Sequence, residues 1–378
     1  MCKMKKILVV SAGTGIGGIE KCMINFLRYL ETYDCDIDLA LWREGPLFSQ
    51  IPSGVNYLGC LGPGNLKSIF RLLKKGKVLS FFKSLFYYSK YKILSCLDIK
   101  WKAVPNLMEE YDIAISYSHG GNSPYYVIDK VEAKEKYLWY HELNYIGNEN
   151  TKTRDLKYFK KYTKIICVSD ACRLNLANCF PSIVDKFITL YNFYNIKEIK
   201  EKSTLIDNPY NTTKKVIATV GRLSKEKGVE LAINTCRELL KIRNDFIWCW
   251  IGDGPEYNSA KELLKKYSIE SNFILLGNKL NPYPYIKNCD LYVQPSLSEA
   301  YCTTVIEAKI LNKPIVMTDV SSAYEQLNQT EFSRIVPKNS SELSNSIDKI
   351  LSKGSSIVCD YSFIDDTYKY DKLFGLRK

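Results

Sequence analysis

Short apolar runs rich in β-branched residues recur along this chain, each followed by a longer stretch with helical spacing, and the series starts afresh past the midpoint. No other feature confines the fold as tightly. Parallel strands need a crossover of a dozen or more residues, usually a helix, so strand and helix in alternation build open sheets covered on both faces. In the first half, KILVVSA (6–12) leads into a helix over 18–31, where Ile19, Cys22, Met23, Phe26, Leu27 and Leu30 share one stripe. Further strands are expected at 36–42, 113–119, 136–141 and 164–169. In the second half, strands are expected at 215–223, 246–252, 273–277, 291–296 and 314–319, with helices over 229–243, 259–267 and 304–311. The polar, lysine-rich stretch between the halves, 191–213, shows no clear period and reads as a linker. The expected fold is α/β, two Rossmann-like domains of similar size facing each other across a cleft. Their expected bounds are 1–195, a linker at 196–213, and 214–360, with a C-terminal segment, 361–378, packing back on the first domain. Ligands of such sheets bind outside the carboxyl ends of the strands, so functional motifs are sought there.

At 378 residues the chain has length for two or three domains, and its 46% hydrophobic and 25% charged residues are an ordinary globular balance. No apolar run nears the ~20 residues of a membrane-spanning helix. A first strand within a dozen residues of Met1 leaves no room for a cleavable signal peptide. Thirteen cysteines, an odd number scattered singly, fit reduced thiols in a cytosolic chain. With no C-x-x-C pair and only two histidines, His119 and His141, a zinc site is not expected. The formal charge of +12 points to an anionic partner: nucleic acid, anionic lipid or a phosphorylated metabolite.

The first expected strand runs into Gly13-Thr14-Gly15-Ile16-Gly17-Gly18. Gly13, Gly15 and Gly18 fit G-x-G-x-x-G, which cradles a pyrophosphate at a helix N-terminus. That reading makes the chain an NAD(P)-dependent oxidoreductase, and it requires an acid at the end of the second strand. Asp38 has the spacing but sits inside that strand, and Glu44 lies beyond it. The plainer reading is a tight turn that packs helix 18–31 close to its sheet.

The second half carries three motifs at strand ends. Gly221-Arg222-Leu223-Ser224-Lys225-Glu226-Lys227-Gly228 places a guanidinium and an ammonium on one loop. Arg offers a fork to phosphate oxygens and Lys a point charge, although a solvated charged turn has the same look. Gly252-Asp253-Gly254-Pro255 follows a strand, and its glycines permit close backbone approach to a ligand. Glu299-Ala300-Tyr301-Cys302-Thr303-Thr304-Val305-Ile306-Glu307 sets two glutamates eight residues apart around a helix start. Thr304 through Glu307 also reads as a capping box, in which Glu307 serves only its own helix. The functional reading gives Glu299 and Glu307 to hydroxyls of a sugar nucleotide, with the amides of Cys302, Thr303 and Thr304 receiving phosphate.

Together with Pro295-Ser296, Ala308, the early Gly17-Gly18-Ile19-Glu20 and Tyr191-Asn192, these motifs resemble the retaining family 4 (group 1) glycosyltransferases of the GT-B fold. The resemblance spans nearly the whole chain and is densest over 215–320. It implies a nucleotide-sugar donor, UDP-sugar favoured, on the second domain and an acceptor on the first. Arg222 and Lys227 would neutralise the leaving diphosphate, Glu307 would bind ribose hydroxyls and Glu299 the sugar. Gly17 and Gly18 would approach the diphosphate, and His141, which ends a strand, would lie near the anomeric centre or the acceptor, although a hydrogen-bonded structural histidine fits the same place. Ala300 and Cys302 stand where the family usually has glycine. Asp34-Cys35-Asp36-Ile37-Asp38 holds D-x-D twice, but at a strand's entrance rather than its exit, so no metal is expected and no cofactor beyond the donor. No carboxylate pair in the first domain suggests a double displacement, and a front-face reaction follows the family instead.

Between Lys67 and Lys102 stand ten basic residues and one acid, Asp98, interleaved with aromatics. Over 65–95, Leu66, Ile69, Phe70 and Leu73, then Val78, Phe81, Phe82 and Leu85, form apolar stripes edged by Lys67, Arg71, Lys74, Lys75, Lys77 and Lys83. Such a pair of helices suits an anionic membrane surface, at about 1 kcal/mol per basic residue. Packing of the stripes on the first domain explains the same pattern without a partner. No nucleic-acid motif accompanies the charges. The expectation is thus a glycosyltransferase at the inner face of the cytoplasmic membrane, acting on a lipid-linked saccharide in surface glycan synthesis.

Overall fold

The computed structural model describes residues 4–330, 332–353 and 367–376. They divide into two compact units, one of Met1–Val168, Arg173–Phe193 and Asp366–Lys378, the other of Ser169–Cys172 and Tyr194–Asp365. The expected domain end at 354–360 and the start of the C-terminal segment at 361–366 lie outside the described residues.

The first unit is built on β1 (Lys5–Ser11), β2 (Cys35–Leu41), β3 (Val55–Cys60), β4 (Glu110–Ser116), β5 (Glu132–Tyr140), β6 (Lys164–Cys167) and β7 (Phe187–Thr189). They form one parallel sheet in the order β3-β2-β1-β4-β5-β6-β7. Helix Gly18–Leu30 follows β1 and buries Cys22, Met23, Phe26, Leu27 and Leu30, five of the six stripe residues, with Ile19 half-buried. The last described helix, Thr367–Phe374, returns to this unit. Its Tyr370 and Phe374 are buried against Phe26 and Trp139, and its Asp371 accepts hydrogen bonds from Tyr29 and Tyr33.

The second unit is built on β8 (Lys215–Val220), β9 (Phe246–Ile251), β10 (Phe273–Gly277), β11 (Leu291–Gln294), β12 (Ile315–Thr318) and β13 (Ser333–Val336). The sheet is parallel, in the order β10-β9-β8-β11-β12-β13. Every residue of β9 is buried, as a central strand covered on both faces requires. Its Phe246, Trp248 and Trp250 join the core on one face and Ile247, Cys249 and Ile251 the core on the other, the period of two made visible.

Three strands escaped the sequence reading: β3, β7 and β13 lie at sheet edges, where one side is unpaired and no continuous apolar run is needed. Strand β4 starts and stops three residues earlier than expected, leaving Tyr117, Ser118 and His119 in the loop beyond it. The stretch expected as a linker opens with helix Ile196–Ser203, capped by Asn195, whose Oδ1 accepts the Glu198 amide at 3.0 Å. Ile199 and Tyr210 are buried there, inside the second unit. Helices also form over Leu66–Lys74 and Val78–Cys96, where Ile69 and Phe81 turn inward. Among the described residues no helix is long and apolar enough to cross a membrane.

Candidate functional site

In the second sheet the chain reverses its direction of winding between β8 and β11, the place where such sheets open a crevice at their carboxyl ends. The loops that leave these two strands lie side by side. The Leu297 amide donates to the Glu226 carbonyl at 2.8 Å. Gly228 stands at φ 72° and ψ 35°, and a Cβ there would overlap the Pro295 carbonyl oxygen. Gly252, at φ 147°, is pressed in the same way against the Gly221 carbonyl, and Gly254 against that of Leu223. These glycines serve close approach, as read from the sequence, but what they approach is the neighbouring loop.

Lys227 and Glu299 meet across that contact. The ammonium lies 2.6 Å from Oε1 and 2.8 Å from Oε2. Glu299 is 7% exposed, and its Oε1 also accepts from the Ser296 hydroxyl at 2.6 Å. Burial alone would lower the Lys227 pKa, but the adjacent Glu299 charge outweighs it and holds the ammonium above its ordinary range. Arg222, at the start of the same loop, is exposed.

Helix Thr303–Ile310 begins just past Glu299, with Cys302 at its N-cap. No side chain caps it, and Glu307 does not reach back as a capping box would. Glu307 is instead buried, with its Oε1 accepting the Tyr283 hydroxyl at 3.3 Å. Cys302 departs from its expected part. Its amide donates to Gln326 Oε1 at 3.1 Å, while Gln326 Nε2 donates to the Cys302 carbonyl at 2.9 Å. That clamp consumes one of the three amides expected to receive phosphate and leaves those of Thr303 and Thr304, which open the helix and have no intrahelical partner. Burial pushes the Cys302 thiol up to about 12, so it is a neutral packing group.

Behind this loop runs a polar strand face that sequence reading missed. Tyr292, Gln294 and Ser296 alternate along β11 and its extension, all buried. The signal was present: three hydrogen-bonding side chains at period two inside an otherwise apolar run. Gln326 had no such signal.

In the first unit, Gly17 precedes and Gly18 opens helix Gly18–Leu30, and the Glu20 carboxylate folds back over Gly17. Gly13 packs on Arg43 and Gly45 on Thr14, with the Gly45 amide donating to Thr14 Oγ1 at 2.8 Å. Asp38 accepts from Tyr111 and Asn56 at 2.8 and 2.7 Å inside the strand. The fingerprint's acid therefore has structural employment. His141 is enclosed, with Nε2 2.8 Å from the Tyr117 carbonyl oxygen, and burial followed by the His119 charge pushes its pKa down to about 3. His119 is the more open of the two, 3.3 Å from Glu142.

Residues 201–358 match the family described as Glycosyl transferases group 1. Over 335 residues the chain is 26% identical to the N-acetylgalactosamine-N,N'-diacetylbacillosaminyl-diphospho-undecaprenol 4-alpha-N-acetylgalactosaminyltransferase of Campylobacter jejuni, a match covering 88% of this chain and 86% of that one. It is 30% identical over 176 residues to an uncharacterized glycosyltransferase of Methanocaldococcus jannaschii, covering 45% of this chain but only 43% of that relative's length. The crystal structure of Anabaena HepE in complex with UDP-glucose superposes with a TM-score of 0.69 at 16% identity, covering 98% of each chain, a likeness of fold. Over residues 201–358 the chain is thus similar to the group 1 glycosyltransferases, and the relatives it matches are named as glycosyltransferases.

Proposed function

We propose that this enzyme moves a sugar, with retention, from a nucleotide-sugar donor to a lipid-linked saccharide during assembly of a surface glycan such as a capsule or exopolysaccharide. The observation that carries the reading is the meeting of Lys227 and Glu299 beside the opening turn of helix Thr303–Ile310, with Arg222 on the same loop. This set offers cationic groups for a diphosphate, two free-standing amides at a helix start for its oxygens, and carboxylates for sugar and ribose hydroxyls. Arg222 and Lys227 stabilise the charge that develops on the leaving diphosphate, so the chemistry asks for no metal. Glu299 orients the sugar and Glu307 the ribose. The first unit takes the acceptor. The enclosed His141 acts by shaping its loop.

The UDP preference is supported by the ligand in the HepE structure, and the lipid-linked acceptor by the diphospho-undecaprenol in the Campylobacter relative's name. Docking of the Leu66–Lys74 and Val78–Cys96 helices on the anionic cytoplasmic face of the membrane brings the enzyme to such an acceptor. An oxidoreductase reading of Gly13–Gly18 leaves Arg222, Lys227 and Glu299 without a task.

The decisive test is calorimetric titration with UDP, GDP, ADP, NAD and NADP, each also with chelator present. Binding of one nucleoside diphosphate, undiminished by chelator and lost in Arg222→Ala, is expected. Binding of a dinucleotide alone refutes the assignment. The anomeric configuration of the product, read by NMR, decides retention.

A further inference from the structure

We propose that Tyr292, Gln294 and Ser296 form a positioning relay for Glu299, and that the relay gives the two oxygens of that carboxylate different tasks once a donor binds. The inference rests on the second unit being the donor-binding half of a glycosyltransferase.

The direction of the relay follows from its partners. The Tyr292 hydroxyl donates to Gln294 Oε1 at 2.7 Å, and Thr304 Oγ1 lies 3.2 Å from the same oxygen. The amide nitrogen of Gln294 must then face Ser296, whose Oγ it reaches at 2.8 Å. Having accepted there, Ser296 donates to Glu299 Oε1 at 2.6 Å. The sequence Tyr292, Gln294, Ser296, Glu299 is thus a one-way chain of donation. Tyr292 and Ser296 are 0% exposed and Gln294 1%, so no water competes for any link. Through Thr304 the amide also ties the strand to the start of the helix that offers phosphate its amides.

Glu299 Oε1 therefore has two donors, Ser296 and Lys227, whereas Oε2 has Lys227 alone among the described contacts. A diphosphate that draws the Lys227 ammonium to itself leaves Oε1 still held and Oε2 open. The oxygen left open accepts a sugar hydroxyl. Neither charge is stranded, since the ammonium gains phosphate as the carboxylate gains the hydroxyl, which avoids the cost of an unpaired buried charge. Gln294 and Ser296 touch no donor atom in this scheme. They are positioning residues, and what they position is the oxygen that reads the sugar.

The test separates nucleotide from sugar. Kd is measured for UDP and for UDP-glucose, UDP-galactose and their N-acetyl forms, in the wild type, Gln294→Met, Ser296→Ala, the double variant and Ser296→Thr. Wild type is expected to bind one UDP-sugar more tightly than UDP. In Gln294→Met and Ser296→Ala that advantage falls by about tenfold, the scale of one hydrogen bond to a charged group, while the Kd for UDP stays within about twofold. The double variant loses no more than either single one, because both break one chain. Ser296→Thr, which keeps the hydroxyl, restores the advantage. Unchanged UDP binding doubles as proof that the variants fold. Losses that multiply in the double variant overturn the relay, as do equal losses for UDP and UDP-sugar. If the wild type binds none of these nucleotides, the donor-site reading and the relay fall together.

Discussion

At Gly228 the backbone adopts φ 72° and ψ 35°, and the position a Cβ would take is filled by the Pro295 carbonyl. Gly228→Ala is expected to cost about 1–3 kcal/mol from backbone conformation alone, read by urea denaturation. A loss below about 0.5 kcal/mol would show that the two loops part easily. The ion pair next to it behaves differently. Lys227→Met strands a buried carboxylate and should cost about 1–3 kcal/mol, whereas adding Glu299→Gln should recover much of the loss, as the same denaturation series would show. His141 makes its own prediction. Its folded pKa of about 3 lies below the ordinary 6.5, so the unfolded chain takes up a proton that the folded chain refuses. Its contribution to stability is complete above pH 6.5 and drains away as pH falls toward 3, reaching about 2 kcal/mol lost at pH 5. His141→Gln should flatten the pH dependence by that amount. Lys227 and Glu299 were legible as charges on strand-end loops, which the structure brings side by side, with Arg222 exposed on the same loop as Lys227. Gln326 was not legible, because its amide takes its meaning from Cys302, 24 residues away, whereas Gln294 was missed despite its period-two signal.

Helices Leu66–Lys74 and Val78–Cys96 show how far periodicity alone reads an element. The sequence indicated their apolar stripes, and Ile69 and Phe81 are indeed buried. Much of the rest faces outward: Phe70, Leu79, Phe82, Phe86 and Ile93 are 51–73% exposed. Tyr87 anchors the opposite side, donating to the Leu61 carbonyl at 2.6 Å, and the one acid of the stretch, Asp98, is taken up by Arg154 at 2.7 Å. The outward face thus combines large apolar side chains with uncompensated lysines. The expected outcome is cosedimentation with vesicles containing a third phosphatidylserine, weakened by salt and lost in Phe82→Ser/Phe86→Ser, with little binding to neutral vesicles. Equal binding to both vesicle types would refute the electrostatic part. Edge strands β3, β7 and β13 were illegible for the converse reason: paired on one side, they need no apolar run to hold them.

The two-sheet architecture was legible at the scale of the molecule because central strands must be apolar on both faces, as β9 is. Its threading was less so. The first unit is discontinuous, since Thr367–Phe374 supplies Tyr370 and Phe374 to its core and Asp371 to Tyr29 and Tyr33. Tyr370→Ala with Phe374→Ala should therefore lower the stability of the first unit by more than about 3 kcal/mol while sparing the second, measurable by hydrogen exchange of β1 and β9 amides. A fragment of residues 1–193 should show the same deficit, relieved by adding a 367–376 peptide. Synthesis runs from the other end. As the chain leaves the ribosome, residues 1–193 emerge before the helix Thr367–Phe374 that completes their core, whereas the described strands of the second unit all precede that helix. The usual order of vectorial folding is inverted: the half made first is finished last, and until then an open aromatic seam around Phe26 and Trp139 is what chaperones would meet.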